Sequence, residues 1–136
     1  MTRPDTKVLD SWAMVAWVCD ESGATAVHAL LELGEAGRVR LLMSVLNVGE
    51  TFYTLAKRRN LGIAEQFLRY LAFLPVEVCV PDRAGVMAAA RIKAVKAVAY
   101  GDSFAIALAQ AEDASVVTGD DEIRQCGLVP VDWVGR

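Results

Sequence analysis

Apolar positions along this chain alternate between short runs and helical spacings. Short apolar runs bounded by turn residues or aspartates predict five strands, at 7–10 ("KVLD"), 38–44 ("RVRLLMS"), 76–80 ("VEVCV"), 114–120 ("ASVVTGD") and 128–134 ("LVPVDWV"). Apolar residues spaced three and four apart predict helices between them, at 11–18, 21–37, 47–60, 61–73, 82–98 and 101–110. Strands that alternate with helices, without hairpin signals, predict an α/β fold: an α/β/α sandwich with a central parallel sheet.

Polar residues mark the expected starts of several helices. Asn47 and Asp82 stand before apolar-periodic segments and are expected to cap them, because a side-chain oxygen there accepts a bond from a free backbone N–H. The short turn at Asn60 predicts that the helices on either side of it run antiparallel.

One helix opens on polar residues although its body is apolar. The stretch "AYGDSFAIALAQ", residues 99–110, carries the carboxylate of Asp102 and the hydroxyl of Ser103 just before an apolar run. Either side chain can cap the helix, so capping is expected. A functional role for Asp102 as well depends on whether other carboxylates lie nearby.

The composition is typical of one folded domain. The chain has 136 residues, 54% of them hydrophobic and 23% charged, so residues 1–136 are expected to form a single domain with its own core. A formal net charge of -3 provides no overall basic field that would attract nucleic acid or an anionic membrane. Any contact with nucleic acid therefore has to come from local basic patches or a bound metal ion.

Three cysteines, Cys19, Cys79 and Cys126, are odd in number and lack redox or metal-binding spacing. They are expected to be small buried side chains in a reducing compartment. No secretion signal and no apolar run of membrane-spanning length is present, so a cytoplasmic protein without membrane contact is expected. The single histidine, His28, is expected to be structural and gives no basis for a triad or a zinc cluster.

Four carboxylates fall at strand ends or in first helical turns. Asp10 ends the first predicted strand and Asp120 ends the fourth. Glu50 lies one turn into the helix after the second strand, and Asp102 opens the helix before the fourth. Functional residues of parallel sheets gather beyond the carboxyl ends of the strands, so all four are expected at one edge. Each alone is also consistent with a cap or turn residue, with Asp121 then capping the last helix.

Carboxylates crowded into one pocket repel one another, and some become protonated unless a cation neutralises them. Hard divalent cations prefer oxygen ligands of this kind. Metal ions held in such a pocket activate water and stabilise the leaving oxygen in phosphodiester cleavage. The four carboxylates therefore favour metal-dependent phosphodiester hydrolysis.

Four stretches of the chain resemble, in order and spacing, the acidic motifs of the PIN-domain family. They are "VLDSWAMVAWVCDE", "SVLNVGETFYTLAKRR", "AYGDSFAIALAQ" and "VVTGDDEI". More narrowly, they resemble the VapC-type toxins of toxin–antitoxin pairs. The resemblance implies a single PIN-like domain and an endoribonuclease that depends on Mg²⁺ or Mn²⁺. It also implies a cognate antitoxin that binds in a groove near the active site, and a homodimer.

By position, the resemblance assigns catalytic and metal-site roles to Asp10, Glu50, Asp102 and Asp120. The first and third of these are the expected direct ligands. Supporting roles, in which a side chain holds a ligand or a water by hydrogen bonds, fall to Ser11, Asn47, Thr118 and Ser103.

Two positions depart from the family pattern. Trp12 is bulkier than the residue expected beside the first aspartate, and Ile123 stands where phenylalanine is common. Both changes affect packing and leave the four carboxylates intact. Whether Asp121 contributes to the site stays open.

Contacts to RNA phosphates are expected from two basic runs, although such runs are also typical of solvated helix faces. These residues are Lys57, Arg58, Arg59, Arg91, Lys93 and Lys96. Five aromatic residues of the paired helices are candidates for a dimer or antitoxin surface, but core packing is favoured for most of them. They are Phe52, Tyr53, Phe67, Tyr70 and Phe73.

Three alternatives remain open at this point. The main one is a PIN-like module that binds RNA or protein without turnover, against which the four intact carboxylates argue. A haloacid-dehalogenase-type phosphatase also begins with a strand-end aspartate, but it needs a second aspartate two positions later, where Trp12 stands. A phosphoacceptor receiver domain shares an acidic pocket, but its spacing suits Asp10, Glu50 and Asp102 poorly.

Overall fold

The computed structural model describes residues 5–136, in which helices cover both faces of a five-stranded parallel sheet. The strands are β1 (Asp5–Leu9), β2 (Val39–Ser44), β3 (Val76–Cys79), β4 (Ser115–Thr118) and β5 (Val131–Trp133). The helices of this described part are α1 (Ser11–Val18), α2 (Ala24–Glu35), α3 (Val45–Arg58), α4 (Leu61–Leu71), α5 (Arg83–Val95), α6 (Tyr100–Ala111) and α7 (Asp121–Cys126). The predicted α/β sandwich is confirmed. Residues 1–4 of the expected domain lie outside the described residues.

The sheet has the strand order β3-β2-β1-β4-β5, and each neighbouring pair is parallel. Val8 of β1 lies opposite Leu42 of β2 on one side and Val116 of β4 on the other. Central strands of a parallel sheet are buried on both faces, which explains their nearly continuous apolar sequences. The carboxyl ends of β1, β2 and β4 meet at one edge.

Two apolar cores lie on opposite faces of the sheet. Successive side chains of β1 alternate between them: Leu9 packs with α1, α2, α3 and α4, and Val8 packs with α5, α6 and α7. The largest buried side chain of the first core is Phe67 of α4, which is 2% exposed. Because each core depends on the sheet, the position of the strand ends is fixed by packing on both faces.

One expected helix cap, Asp82, is confirmed, and Asn60 in the predicted short turn is a second cap. The backbone N–H of Gly85 donates to Asp82 Oδ1 over 2.8 Å at the start of α5. The N–H of Ile63 donates to Asn60 Oδ1 over 2.9 Å, so Asn60 both ends the connection from α3 and starts α4. These two helices are joined by a short turn and pack against each other, as the sequence predicts.

Other expected helix boundaries were wrong. Helix α3 begins earlier than predicted, at Val45, and it is Ser44 that accepts the bond from Leu46 N–H, over 3.3 Å, so Asn47 is not the cap. Helix α6 begins at Tyr100 without a side-chain cap, which places Asp102 and Ser103 inside its first turn.

At the other boundaries, α5 ends at Val95, three residues short of the prediction. Helix α7 is capped by Asp120, whose Oδ1 accepts from Glu122 N–H over 2.8 Å, and not by Asp121.

Core packing holds for only part of the aromatic set in α3 and α4. Phe67 is buried and Phe52 is half-buried, but Tyr53, Tyr70 and Phe73 are exposed, contrary to the expectation for most of them. The sequence pattern cannot separate a residue that faces the core from one that faces a partner. The paired helices therefore present an aromatic outer surface.

Three further expectations concern single residues and membrane contact. His28 lies on the surface of α2, where it pairs with Glu32, as expected. The three cysteines are free, with Cys126 buried and the other two half-buried. In residues 5–136 no helix is both long and apolar enough to span a membrane.

Two phenylalanine substitutions test the division between core and surface. Phe67→Ala is expected to lower the free energy of unfolding by about 3–5 kcal/mol, because it leaves a cavity in the first core. The same substitution at Phe73, which is 84% exposed, is expected to change it by less than about 0.5 kcal/mol. Urea denaturation followed by circular dichroism measures both. Equal losses would mean that the packing of α4 is misassigned.

Candidate active site

Asp10 is the most deeply buried carboxylate at the sheet edge. It follows β1 directly and caps α1, where Oδ1 accepts from Ala13 N–H over 2.9 Å. The residue is fully buried, and its second oxygen, Oδ2, has no hydrogen-bond partner among residues 5–136. A buried carboxylate oxygen without a partner costs free energy, so it marks a place where a cation or a donor is expected to bind.

Asp102 lies in the first turn of α6 and is also buried. Burial, together with the negative charges of Asp120 and Asp10 and a smaller effect of Glu50, raises its pKa to about 8. Burial likewise raises the pKa of Asp10 to about 7, with added repulsion from Asp120 and Glu50. The Thr118 hydroxyl and the Ala13 N–H act in the opposite direction on Asp10. The four carboxylates therefore share one electrostatic environment, as the sequence predicts.

Glu50 is held at the edge of this cluster by three neighbours. The Asn47 amide donates to Glu50 Oε1 over 2.8 Å and to the backbone carbonyl of Gly101 over 3.0 Å. The Ser11 hydroxyl donates to the same Oε1 over 3.5 Å, a long contact. A Cβ on Gly101 would lie 2.2 Å from the Glu50 carboxylate, so a larger residue there would displace that carboxylate. Asn47 is thus a buried residue that orients Glu50 within α3 and links α3 to α6.

The remaining supporting residues have more local contacts. Thr118 Oγ1 accepts from Asp120 N–H over 2.9 Å, which fixes the backbone as β4 ends. Ser103 is fully buried and its hydroxyl donates to the Tyr100 carbonyl within α6. Asp121 is exposed and pairs with Arg124 of α7, which points away from a shared role with Asp120.

The donor chemistry of the cluster fits a hard divalent cation. The oxygens are carboxylates, two of the groups have raised pKa values, and Asp10 Oδ2 is buried without a partner. Within residues 5–136, however, no three Asp, Glu, His or Cys side chains are arranged to enclose a metal ion by themselves. Mg²⁺ commonly binds through one or two carboxylates and keeps several waters, which is compatible with this arrangement.

The basic residues expected to contact RNA are dispersed over two regions. Arg58, the last residue of α3, pairs with Glu21 in the α1–α2 connection. Lys57 lies over the ring of Tyr53, at 5.5 Å from its centroid. Arg59 lines an open cleft next to them. The second run, Arg91, Lys93 and Lys96, lies on α5 and just after it, with the first two exposed.

Sequence reasoning missed Gly101 as part of the site. Its backbone carbonyl accepts from Asn47, and its missing Cβ makes room for Glu50. The available signal was a glycine inside the first turn of an otherwise favourable helix, next to a candidate ligand.

The PIN domain family model matches residues 7–127. The chain therefore belongs to the PIN domain family. No curated protein sequence matches this chain.

Several solved structures have a similar fold. VapC20 from Mycobacterium tuberculosis, a toxin that cleaves the sarcin-ricin loop, has a TM-score of 0.75 and 14% identity, over 90% of this chain and 96% of that chain. VapBC2 from Rickettsia felis, bound to promoter DNA, has a TM-score of 0.74 and 14% identity, over 93% and 97%. FitAcB from Neisseria gonorrhoeae has a TM-score of 0.66 and 18% identity, over 92% and 95%. At these identities the likeness concerns the fold.

The raised pKa values predict a pH dependence of stability in EDTA. Asp10 and Asp102 have an ordinary pKa of 3.8, but about 7 and about 8 in the fold, so the unfolded chain releases protons that the folded chain retains. The free energy of unfolding is therefore expected to fall as the pH rises from about 4 to about 8. Asp102→Asn is expected to reduce this slope and to be more stable than wild type at pH 8. Urea denaturation at pH 5 and pH 8 measures both effects.

Asp113→Asn is the matched control for that experiment, because Asp113 is exposed and its positive φ is one that asparagine tolerates. This variant is expected to keep the wild-type slope. If the free energy of unfolding of Asp102→Asn and of Asp113→Asn depends on pH in the same way, repulsion within the cluster does not cause the pH dependence.

Proposed function

We propose that this protein is a divalent-metal-dependent endoribonuclease that acts in the cytoplasm as the toxin of a toxin–antitoxin pair. The observation that carries the proposal is the fully buried Asp10, with an unpartnered oxygen, among three other carboxylates at the carboxyl edge of a parallel sheet. A group of carboxylates with mutual repulsion is costly unless it serves to bind a cation. Membership of the PIN domain family supports the same activity.

In this proposal Asp10 and Asp102 hold Mg²⁺ or Mn²⁺ directly, and Glu50 and Asp120 complete the pocket directly or through water. When bound, the ion would neutralise negative charge at the scissile phosphate and lower the pKa of a water molecule. Asn47 and Ser11 orient Glu50 by their hydrogen bonds to Oε1. Thr118 orients Asp120 through the backbone. Asn47, Ser11 and Thr118 thus each act by orienting one carboxylate.

RNA is the proposed substrate class. VapC20 from Mycobacterium tuberculosis, which has the same fold, cleaves the sarcin-ricin loop. The exposed Arg58 and Arg59 lie at the carboxyl end of α3, where they are available to a phosphate backbone, although Arg58 also pairs with Glu21. An acidic chain needs such local basic groups, because its net charge of -3 repels nucleic acid at long range.

Cleavage of total cellular RNA by the purified protein tests this function. Wild type is expected to produce discrete cuts with Mg²⁺ or Mn²⁺ and none with EDTA. Asp102→Asn and Asp10→Asn are each expected to reduce the cleavage rate by about 100-fold or more, since each removes a ligand charge that no neighbour replaces. Gel electrophoresis of the products and thermal denaturation with and without Mg²⁺ measure cleavage and ion binding separately.

Asp113→Asn is again the control and is expected to cleave like wild type. Cleavage that survives in Asp102→Asn would place the site elsewhere or indicate a contaminating nuclease. If folded wild type binds Mg²⁺ but cleaves no RNA, the module that binds without turnover becomes the better assignment.

The proposed partners are a cognate antitoxin and a second copy of the chain. An antitoxin is supported by the similar fold of VapC20, which is a toxin, and by a pocket of about 250 Å³ between α1 and α4. Trp17, Phe67 and Tyr70 line this pocket, so an apolar side chain fits it. The homodimer stays a prediction, for which sedimentation velocity is the direct measurement.

A further inference from the structure

An open cleft of about 710 Å³ lies at the β4–α7 connection. Two tryptophans, Trp12 and Trp133, contribute to its walls. Trp12 stands two residues after Asp10 in the first turn of α1. Gly119 and Asp121 also line the cleft, and Asp120 lies between them in the chain. The cleft and the candidate active site therefore share a wall.

Both indoles are held in place by neighbouring groups. A Cβ on Gly119 would lie 2.3 Å from the Trp12 ring, so the ring occupies the space that this glycine leaves free. The guanidinium of Arg124 lies 3.8 Å from the centroid of the Trp133 ring, and the indole N–H donates to the Arg136 carbonyl over 3.3 Å. Aromatic surfaces that are already ordered bind a flat ligand with little loss of side-chain entropy.

The charges around the cleft are nearly balanced. Glu21 and Asp121 line it, but each is paired with an arginine, Arg58 and Arg124 respectively. Arg136 adds a positive charge to the lining. A bare phosphate would meet carboxylates here, whereas the N–H edge of a nucleobase would meet acceptors and its flat face would meet an indole. The lining is thus suited to a base.

We propose that this cleft holds a nucleobase of the RNA strand next to the scissile phosphate, with Trp133 as the stacking surface. The proposal rests on the proposed nuclease function, because it places the base beside the carboxylates that would receive the phosphate. A second open cleft, lined by Arg58 and Arg59, shares Asp20 with the first. An aromatic surface followed by basic groups is the usual arrangement for a single strand of nucleic acid.

Trp133 is the residue to vary, because Trp12 fills the space beside Gly119 and its loss would disturb the site. The binding test uses a Trp17→Phe background, so that only the two cleft indoles fluoresce. The probe is an unstructured RNA hexamer in EDTA, which removes divalent cations and blocks the proposed cleavage. An abasic hexamer with the same phosphates is the control ligand.

The RNA hexamer is expected to quench indole fluorescence and to bind at least about tenfold more tightly than the abasic hexamer. Trp133→Leu is expected to weaken hexamer binding about tenfold, the loss of one base–aromatic stack, while Trp133→Phe stays within about threefold of the background protein. With Mg²⁺, Trp133→Leu is expected to lower kcat/KM for RNA cleavage by a similar factor. Circular dichroism verifies that each variant is folded.

The proposal is overturned if Trp133→Leu binds the hexamer like the background protein, or if the abasic hexamer binds equally well. It is also overturned if a blocked Gly-Arg-Gly peptide quenches the fluorescence and the hexamer does not, since the cleft then receives a cationic side chain. Trp133-dependent binding by a protein that cleaves no RNA supports the cleft and contradicts the nuclease. Normal cleavage by Trp133→Leu at unchanged positions contradicts the cleft and leaves the nuclease intact.

Discussion

Burial of like charges at the edge of the sheet is the constraint on which the rest of the structure depends. Asp10 and Asp102 are both buried; the charges of Asp120 and Glu50 raise the pKa of both, and the charge of Asp10 also raises that of Asp102. Such an arrangement opposes folding unless protons or cations neutralise it. It persists because the packing on both faces of the sheet leaves the strand ends no alternative position. The stability of the cores thus holds together a site that is itself unfavourable.

The parallel sheet explains how residues distant in sequence reach one pocket. Because β1, β2 and β4 all run in the same direction, the segments that follow them start at the same edge. Asp10 and Asp120 use this directly, as caps of the helices that begin there. Glu50 and Asp102 arrive on the helices α3 and α6, which are joined by the hydrogen bond from the Asn47 amide to the Gly101 carbonyl. Strand direction brings the groups together, and local hydrogen bonds set their orientation.

The sequence predicted the fold class and the convergence of the four carboxylates, because both follow from periodicity and strand direction. It did not predict that α3 starts at Val45, with Ser44 as its cap, or that α6 starts at Tyr100 without a side-chain cap. Ser, Asn and Asp are all acceptable caps, and tertiary contacts decide where a helix begins. Asn47 is the clearest case, because its side chain donates to Glu50 and Ser44 caps the helix instead. The exposure of Tyr70 and Phe73 could not be predicted either, because an apolar residue in a helical pattern can face either the core or a partner.

Charge also limits how an acidic protein can bind RNA. Without an ion, the carboxylates repel a phosphate backbone, so in the proposed function electrostatic attraction at the site would depend on a bound cation. Stacking on an indole does not depend on this charge and is available at any metal concentration. A base held by Trp133 would therefore bring the phosphate to the pocket before the ion is fully coordinated. Placing an aromatic cleft against an acidic site gives the chain a source of affinity that its net charge of -3 cannot supply.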